Sequence, residues 1–335
     1  MPVLNQEPSR KLAVVVAMMA TACLAGASIA ATAADPEPAA RRLESPQAGY
    51  FRIQIGDVEV IALSDGTAPV GLKDGLVLDA KIGEVDRLLA KDYQTSPIDI
   101  SVNSYLFRIA DRTVLIDAGA GELIGPTANK LPRSLLAAGV KPEDVTDIFL
   151  THIHPDHVGG LMAGDKAAFP NATIHLDKRE ADYWFDASNQ ATARTATKAF
   201  FGAVPTLSAY RSASRVSTFD GATTFYPGFS SRPAYGHTPG HTTYVLESSG
   251  ARLVFWGDLV HLTSIQFDDP GVAVNFDSDP VMAKKTRRVA FSAAATQGDL
   301  VAGAHLDYPG IGRLRREGDH YRWIPVVYRN DAVAK

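Results

Sequence analysis

The chain carries the run Thr151-His152-Ile153-His154-Pro155-Asp156-His157-Val158-Gly159-Gly160, in which three histidines and one aspartate fall within six residues. The apolar, β-branched segment 145–150 precedes it and predicts a buried strand. The two glycines allow a tight turn. Because alternate residues of an extended chain face one side, His152, His154 and Asp156 are expected to point together. Imidazole and carboxylate groups bind zinc, iron or manganese, so the run predicts a metal site rather than a polar loop.

Composition indicates an ordinary globular protein. The 335 residues suffice for one large or two smaller domains, with 46% apolar and 21% charged residues. A net charge of -4 without a basic cluster gives no support for a nucleic-acid partner. No internal repeat of solenoid period is visible, so we expect one domain.

The front of the chain has the pattern of a secretory signal peptide over residues 1–34. A short positive region precedes the Ala-rich apolar run 12–29, and Ala31-Thr32-Ala33 offers a cleavage site. The apolar run is weak for a membrane anchor, so we expect export to the periplasm or medium without membrane attachment. Removal of this segment also removes Cys23, the single cysteine. Residues 35–48 are expected to be a flexible lead-in.

Strand pairs followed by helices occur twice along residues 49–335. Gly56-Asp57 predicts a hairpin turn, with the hairpin ending at 64–67. The predicted strands are 51–55, 58–63, 102–109, 113–117, 145–150, 172–176, 216–219, 223–226, 242–247, 252–256 and 321–328. The predicted helices are 83–92, 129–138, 178–185, 193–203 and 281–295. Two packed sheets with helices outside them satisfy this order.

Three further ligand-type residues, His237, Asp258 and His305, each follow an apolar strand and adjoin glycine or alanine. Together with the pattern His152-x-His154-x-Asp156-His157 they resemble the metallo-β-lactamase superfamily, from about residue 50 onward. The closer resemblance is to the methyl parathion hydrolase branch, which includes enzymes that hydrolyse lactones and aryl esters. The stretches that carry this resemblance are 155–162, 169–172, 236–244, 266–270 and 309–312.

The resemblance implies an α/β fold, the four-layer αββα sandwich, and two divalent metal ions per chain. One ion would be held by His152, His154 and His237, and the second by Asp156, His157 and His305. Asp258 would bridge the ions, with a hydroxide between them. Zinc is the expected metal, and manganese, cobalt or iron suit the same ligands. A homodimer is a further implication of the family.

The family also implies roles for other residues. Asp156 and Asp258 would be the catalytic carboxylates, with Asp156 accepting or relaying a proton. Asp117 is expected to orient a metal ligand by hydrogen bonding. His241 would orient or support the site, since the family uses the first histidine of 236–241 as the ligand.

The expected substrate pocket is formed by Ile124, Trp184, Phe200, Phe201, His261 and Phe276. For each aromatic taken singly, core packing is the better interpretation. As a group, however, they resemble the positions that line the leaving-group pocket of methyl parathion hydrolases. Ile124 stands where phosphotriesterases of the branch have an aromatic residue, and His261 stands where they have an apolar one. The stretch between Trp184 and Phe200 is one residue shorter. These departures favour a lactone or aryl-ester hydrolase with side activity on organophosphate triesters.

Three other functions are compatible with this scaffold. A specialised methyl parathion-type phosphotriesterase is the nearest alternative. An iron-dependent redox enzyme is another, although no flavin-binding segment is recognisable after His305. A binding protein with a structural metal is disfavoured, because this ligand set leaves a position open for water. A β-lactamase is disfavoured as well, because such enzymes have Cys or Ser at the position of Asp258.

Overall fold

Two seven-stranded sheets dominate the computed structural model, which describes residues 47–72, 75–78, 80–81 and 83–330. The predicted signal peptide and most of the lead-in lie outside those residues. The strands are β1 Tyr50–Ile55, β2 Val58–Val70, β3 Val77–Leu78, β4 Ile98–Ile109, β5 Arg112–Ile116, β6 Asp147–Phe149, β7 Met162–Ala163, β8 Lys166–Ala167, β9 Thr173–Asp177, β10 Val216–Phe219, β11 Thr224–Tyr226, β12 Phe229–Pro233, β13 Thr242–Ser248, β14 Ala251–Gly257, β15 Ala273–Val274, β16 Leu300–Gly303, β17 Ile311–Glu317 and β18 His320–Pro325.

The helices lie mainly outside the sheets. They are α1 Glu84–Lys91, α2 Leu131–Ala137, α3 Pro155–Val158, α4 Lys178–Phe185, α5 Asn189–Thr192, α6 Ser208–Ser212, α7 Thr263–Gln266 and α8 Pro280–Gln297, with 3₁₀ segments at Pro142–Asp144, Gly159–Leu161 and Lys198–Leu207. Within the described ranges, no helix is both long and apolar enough to cross a membrane. The described residues from Ala48 onward form one unit.

The strand order brings the predicted ligand positions to one edge. The first sheet has the order β1-β2-β4-β5-β6-β9-β10, and the second has the order β11-β12-β13-β14-β16-β17-β18. Strands β5, β6, β9 and β10 are parallel, and so is the pair β14 and β16. Parallel strands end at the same edge. The backbone N–H of Thr242 donates to the carbonyl of Thr151 at 2.9 Å, which joins this edge of one sheet to the other.

Three apolar layers confirm the αββα sandwich. Between the sheets, Phe107 and Phe149 of the first sheet pack against Phe229 of the second, with ring centroids 5.1 and 4.9 Å apart. A second cluster lies between the first sheet and helices α2 and α4. A third lies between the second sheet and α8, where Trp256 stacks on Phe291. The order helix, sheet, sheet, helix follows from these clusters.

The predicted end of the first hairpin at 64–67 is wrong, because β2 continues to Val70. A β-bulge between Ser64 and Gly66 absorbs the turn-like residues without ending the pairing with β4. The bulge directs the carboxylate of Asp65 onto the backbone N–H groups of Ala120 and Leu131, at 2.8 and 2.7 Å. Residues whose types predict a turn therefore lie inside a strand here, and the Asp65 side chain anchors the backbone at Ala120 and Leu131.

Three other differences from the prediction occur. The α-helix predicted over 193–203 is absent: helix α5 ends at Thr192, and the 3₁₀ segment Lys198–Leu207, which contains Pro205, covers the second half of the predicted range. Proline lacks the backbone donor that a longer α-helix needs. Strand β17 is missing from the prediction, because glycines at its start read as a loop. The final strand ends at Pro325 rather than at 328.

Candidate metal centre

The run after β6 remains extended through His154 and then becomes helical. His154 has extended backbone angles (φ -111°, ψ 160°), and Pro155 is the first residue of α3. Proline suits this position because its φ is fixed and its missing N–H needs no partner there. The predicted alternation therefore holds for His152 and His154 but not for Asp156. Asp156 lies in the first turn of α3 and belongs with His157 to a separate cluster of ligand atoms.

The ends of β14 and β16 supply the next ligands. β14 ends at Gly257, whose φ of 55° suits glycine, and Asp258 follows. A Cβ at Gly257 would lie 2.7 Å from His241 Nε2 and 2.8 Å from Thr151 Cβ, so only glycine fits. His305 follows β16, and the loop after β12 carries His237.

The first ligand group, here named the three-histidine group, consists of His152, His154, His237 and Asp258. Their donor atoms lie within 4.8 Å of one another, and all four residues are at most 3% exposed. His237 Nε2 is 3.0 Å from His154 Nδ1 and 3.2 Å from Asp258 Oδ2. His152 Nε2 is 3.5 Å from that same oxygen.

The second ligand group, here named the Asp156 group, consists of Asp156, His157 and His305. His305 Nε2 is 3.2 Å from Asp156 Oδ2, and His157 Nε2 is 3.6 Å from it. Asp258 lies between the two groups. Its Oδ1 is 3.1 Å from His157 Nε2, and its Oδ2 is 3.1 Å from His305 Nε2. The structure thus brings all seven predicted ligands together.

The spacing and the unpaired atoms both fit divalent cations. Tetrahedral ligands about 2.1 Å from an ion lie about 3.4 Å from one another, which matches these separations. In the described part of the chain, the buried Nε2 atoms of His152, His154 and His157 and Oδ1 of Asp258 have no hydrogen-bond partner. Buried polar atoms without partners are costly, and ligation of an ion would satisfy the atoms that face the cluster.

Hydrogen bonds on the far side of the rings orient the ligands. Nδ1 of His157 is 2.9 Å from Asp117 Oδ2, and Nδ1 of His237 is 2.9 Å from Asp277 Oδ1. His305 Nδ1 lies 2.9 Å from the backbone carbonyl oxygen of Ser101. Such contacts fix the tautomer that leaves Nε2 free for a metal. Asp117 makes the orienting contact predicted for it.

Burial and charge set the protonation of the cluster. Burial lowers the pKa of His152 and His154 well below the usual histidine value, which favours the neutral form that ligates metals. Burial opposes ionisation of Asp258, but His157 and His305 outweigh it and hold the pKa of this carboxyl well below its usual range. Burial also opposes protonation of His157 and His305, but the neighbouring carboxylates outweigh it and raise the pKa of both rings above the usual histidine value. The site therefore offers two neutral imidazoles and an ionised carboxylate to a cation, and a cation that binds His157 or His305 displaces a proton.

His241 has both ring nitrogens engaged away from the ligand groups. Its Nδ1 is 3.1 Å from the carbonyl oxygen of Ala234, and its Nε2 accepts from the backbone N–H of Asp258 at 3.0 Å. Burial lowers the pKa of His241 to about 3. The neutral ring therefore anchors the backbone that carries Asp258.

Three of the predicted pocket residues line the three-histidine group. The ring of Phe200 is 4.5 Å from that of His154, and Trp184 is 5.6 Å from it. Phe276 is 5.7 Å from Phe200. Phe201 instead packs behind Trp184 at 4.6 Å and belongs to the core between sheet and helices.

The structure places the remaining two predicted pocket residues, Ile124 and His261, in different surroundings. Ile124 is half-buried in the turn after β5. His261, which was predicted to line the substrate pocket, is only 4% exposed and lies against the bridging carboxylate, with Nε2 3.1 Å from Asp258 Oδ2. Its ring stacks on His305, and its backbone N–H donates to Gln266 Oε1 at 2.8 Å.

Two carboxylates and one amide that support the site escaped sequence reasoning. Asp277 contacts His237, Gln266 holds the backbone of His261, and Glu180 contacts the loops on both sides of the three-histidine group. Two local signals existed: Asp277 lies beside the pocket candidate Phe276, and Gln266 opens the stretch 266–270. The partners of Asp277 and Glu180 are distant in sequence, so no spacing pattern reveals these two carboxylates.

Ligand groups that share one carboxylate at the joint edge of an αββα sandwich define a metal-dependent hydrolase. Residues 98–305 match the model of the metallo-beta-lactamase superfamily, and the chain belongs to that superfamily. Solved structures agree over most of the chain. The hydrolase AbOPH superposes with a TM-score of 0.81 at 35% identity, covering 85% of this chain and 100% of its own.

Two lactonases are also similar. AidC, a dizinc quorum-quenching lactonase solved with a product, superposes with a TM-score of 0.78 at 29% identity, covering 84% of this chain and 99% of its own. The N-acyl homoserine lactonase AiiB of Agrobacterium fabrum is 32% identical over 80 residues. That match covers 18% of this chain and only 29% of AiiB.

Proposed function

We propose that the protein hydrolyses lactones or aryl esters with two zinc ions, and that organophosphate triesters are at most side substrates. The observation that carries this proposal is Asp258, whose carboxylate faces ligand atoms of both groups: Oδ2 is 3.2 Å from His237 Nε2 and 3.1 Å from His305 Nε2, and Oδ1 is 3.1 Å from His157 Nε2. The similarity to the lactonase AidC supports the substrate class.

The ligand residues perform distinct tasks in this proposal. Divalent cations bound at the two groups would lower the pKa of water to about 7 and polarise a carbonyl oxygen. Asp258 fixes the separation of the groups. Asp156 has the only ligand side chain with appreciable exposure, 20%, and its Oδ2 faces His305. Its carboxylate is therefore placed to accept the proton of the attacking water and to pass it to the oxygen of the leaving group as the ester bond opens.

The pocket walls select the substrate. Phe200 and Phe276 present apolar surface that excludes water and accommodates an acyl or aryl group, and Trp184, which is 1% exposed, packs against His154 from the core. His261 Nδ1 is buried and lacks a hydrogen-bond partner among the described residues, so a substrate oxygen within reach of it would satisfy this polar atom. A compact lactone carbonyl can use such a polar group, whereas a phosphotriester needs more apolar room.

Export to the periplasm or medium and assembly as a homodimer complete the proposal. Export is supported by the signal pattern in residues 1–34, and the dimer by the family resemblance. Intact-mass analysis of protein recovered from the native host tests export, with loss of about 33 residues expected. A full-length cytoplasmic species would contradict it.

One experiment separates the candidate activities. Metal-replete protein is assayed with dihydrocoumarin, an N-acyl homoserine lactone, 4-nitrophenyl acetate and a methyl phosphotriester, while bound metals are counted. We expect two zinc ions per chain and higher kcat/KM for a lactone or aryl ester. Higher kcat/KM for the phosphotriester would favour the specialised phosphotriesterase. Oxygen consumption by an iron-loaded form, without hydrolysis, would favour a redox enzyme.

A further inference from the structure

Glu180, in the first turn of α4, is completely buried and touches neither ligand atoms nor the pocket interior. We propose that Glu180 is the positioning residue of the three-histidine group. In this role it holds two separate ligand-bearing loops and one pocket wall in a single arrangement. The inference rests on the proposed binuclear site.

Four donors converge on the carboxylate of Glu180. Oε1 accepts from the backbone N–H of Ile153 and from Trp184 Nε1, both at 2.7 Å. Oε2 accepts from Thr238 Oγ1 at 2.7 Å and from the backbone N–H of Gly240 at 2.9 Å. Each oxygen therefore serves two donors, and the carboxylate has no side free for another group.

The partners of Glu180 are adjacent to the ligands. Ile153 lies between His152 and His154, and Thr238 follows His237 directly. One carboxylate oxygen thus holds the loop after β6, and the other holds the loop after β12. These loops are outside the sheet ladders, so their backbone donors need acceptors from elsewhere.

Stability of the fold alone does not account for a carboxylate at this position. Burial raises the pKa of Glu180, and in the described ranges the groups that oppose this shift are its hydrogen-bond donors rather than a cation. A buried carboxylate without a cationic partner is costly. The packing is also unusually close, because a Cβ at Gly240 would lie 2.3 Å from the backbone nitrogen of Glu180. The helix and the ligand loop are therefore in direct contact, with the carboxylate bonding across the junction.

The decisive variant is Glu180→Gln, which keeps the size of the side chain. Whichever way the amide is turned, its NH2 group faces two donors, so one of the two loops loses its acceptor. Removal of a partner that supports a ligand typically lowers metal affinity about 10–100-fold. We expect this loss for one of the two ions, measured by competition with a chelator.

Anomalous diffraction at the zinc edge identifies the ion that is lost. We expect depletion at His152, His154 and His237, with the Asp156 group retained. Asp177→Ala is the control for order in α4, since Asp177 is a buried carboxylate that caps the same helix through the N–H of Arg179. Asp177 also accepts from the hydroxyl of Tyr235 near His237, so Tyr235→Phe is measured beside it. A loss in Asp177→Ala equal to that in Glu180→Gln, without a loss in Tyr235→Phe, would show that α4 only needs to be ordered, and would overturn the inference.

A milder variant covers the case in which Glu180→Gln does not fold. Thr238→Val removes a single donor at nearly constant volume, and we expect it to weaken the same ion several-fold. If wild-type protein binds fewer than two ions, the proposed binuclear function fails. If wild type binds two ions and both variants bind both ions as wild type does, or lose the two ions equally, the positioning inference fails instead.

Discussion

The two ligand groups are built alike but held differently. The three-histidine group is buried throughout and is supported from α4 and from the loop before α8, through Glu180 and Asp277. The Asp156 group is supported from the first sheet, through Asp117, and includes the more exposed carboxylate. The comparison indicates one group buried throughout and a second group with a partly exposed carboxylate, joined by Asp258.

Removing the shared carboxylate should have the largest effect, because it abolishes the connection between the groups. We expect Asp258→Asn to lower kcat by at least about 100-fold while the circular dichroism spectrum stays that of the wild type. Metal content is measured on the same preparation. Activity close to wild type in a metal-replete Asp258→Asn protein would show that another residue joins the groups.

His261 contacts the shared carboxylate and stacks on His305, so it tests whether the pocket side of the centre sets specificity. We expect His261→Leu to shift the ratio of lactone to phosphotriester kcat/KM towards the phosphotriester by about 1–3 kcal/mol. Both substrates are assayed in both proteins at matched metal content. An unchanged ratio would make His261 a packing residue.

Asp117 and Asp277 form a matched pair, since each orients one histidine through Nδ1. We expect Asp277→Asn to weaken the ion of the three-histidine group, and Asp117→Asn to weaken that of the Asp156 group, each about 10–100-fold. Zinc occupancies from anomalous diffraction measure both. If the two variants deplete the same ion, the groups are not separately supported.

The smallest expected effects are those that distinguish a pocket residue from a core residue in the neighbouring pair Phe200 and Phe201. Phe200→Leu should raise KM for an aryl ester without changing Tm, because the ring faces His154. Phe201→Leu should leave KM unchanged and cost about 1 kcal/mol of stability, because its ring packs behind Trp184. KM and Tm are measured for both variants. A raised KM in Phe201→Leu, with an unchanged KM in Phe200→Leu, would place Phe201 in the pocket instead.

Sequence patterns predicted the parts of the molecule that depend on local order. Strand alternation and the hairpin at Gly56-Asp57 follow from short-range spacing, whereas the full ligand set was implied by the family resemblance. The continuation of β2 past Ser64 did not, because a bulge is stabilised by Asp65 contacting residues 55 and 66 positions away. Turn propensity depends only on neighbouring residues, so it contains no information about a hydrogen-bond partner this distant in sequence.

The supporting carboxylates were missed for the same reason. Glu180 is 27 residues from Ile153 and 60 from Gly240, and Asp277 is 40 from His237. Neither position has a motif around it, and both become recognisable only when the loops are placed in space. His261 was identified as an unusual residue, but its burial against Asp258 depends on the loop that Gln266 holds.

Gly257, the residue before Asp258, is expected to tolerate substitution far less well than the pocket wall. Gly257 is confined between His241 and Thr151, so any side chain there would displace the groups around the bridging carboxylate. Phe200 and Phe276 have no such confinement, since both are only half-buried. A mutational library should therefore return new substrate preferences from the pocket wall, while position 257 stays glycine in every active clone.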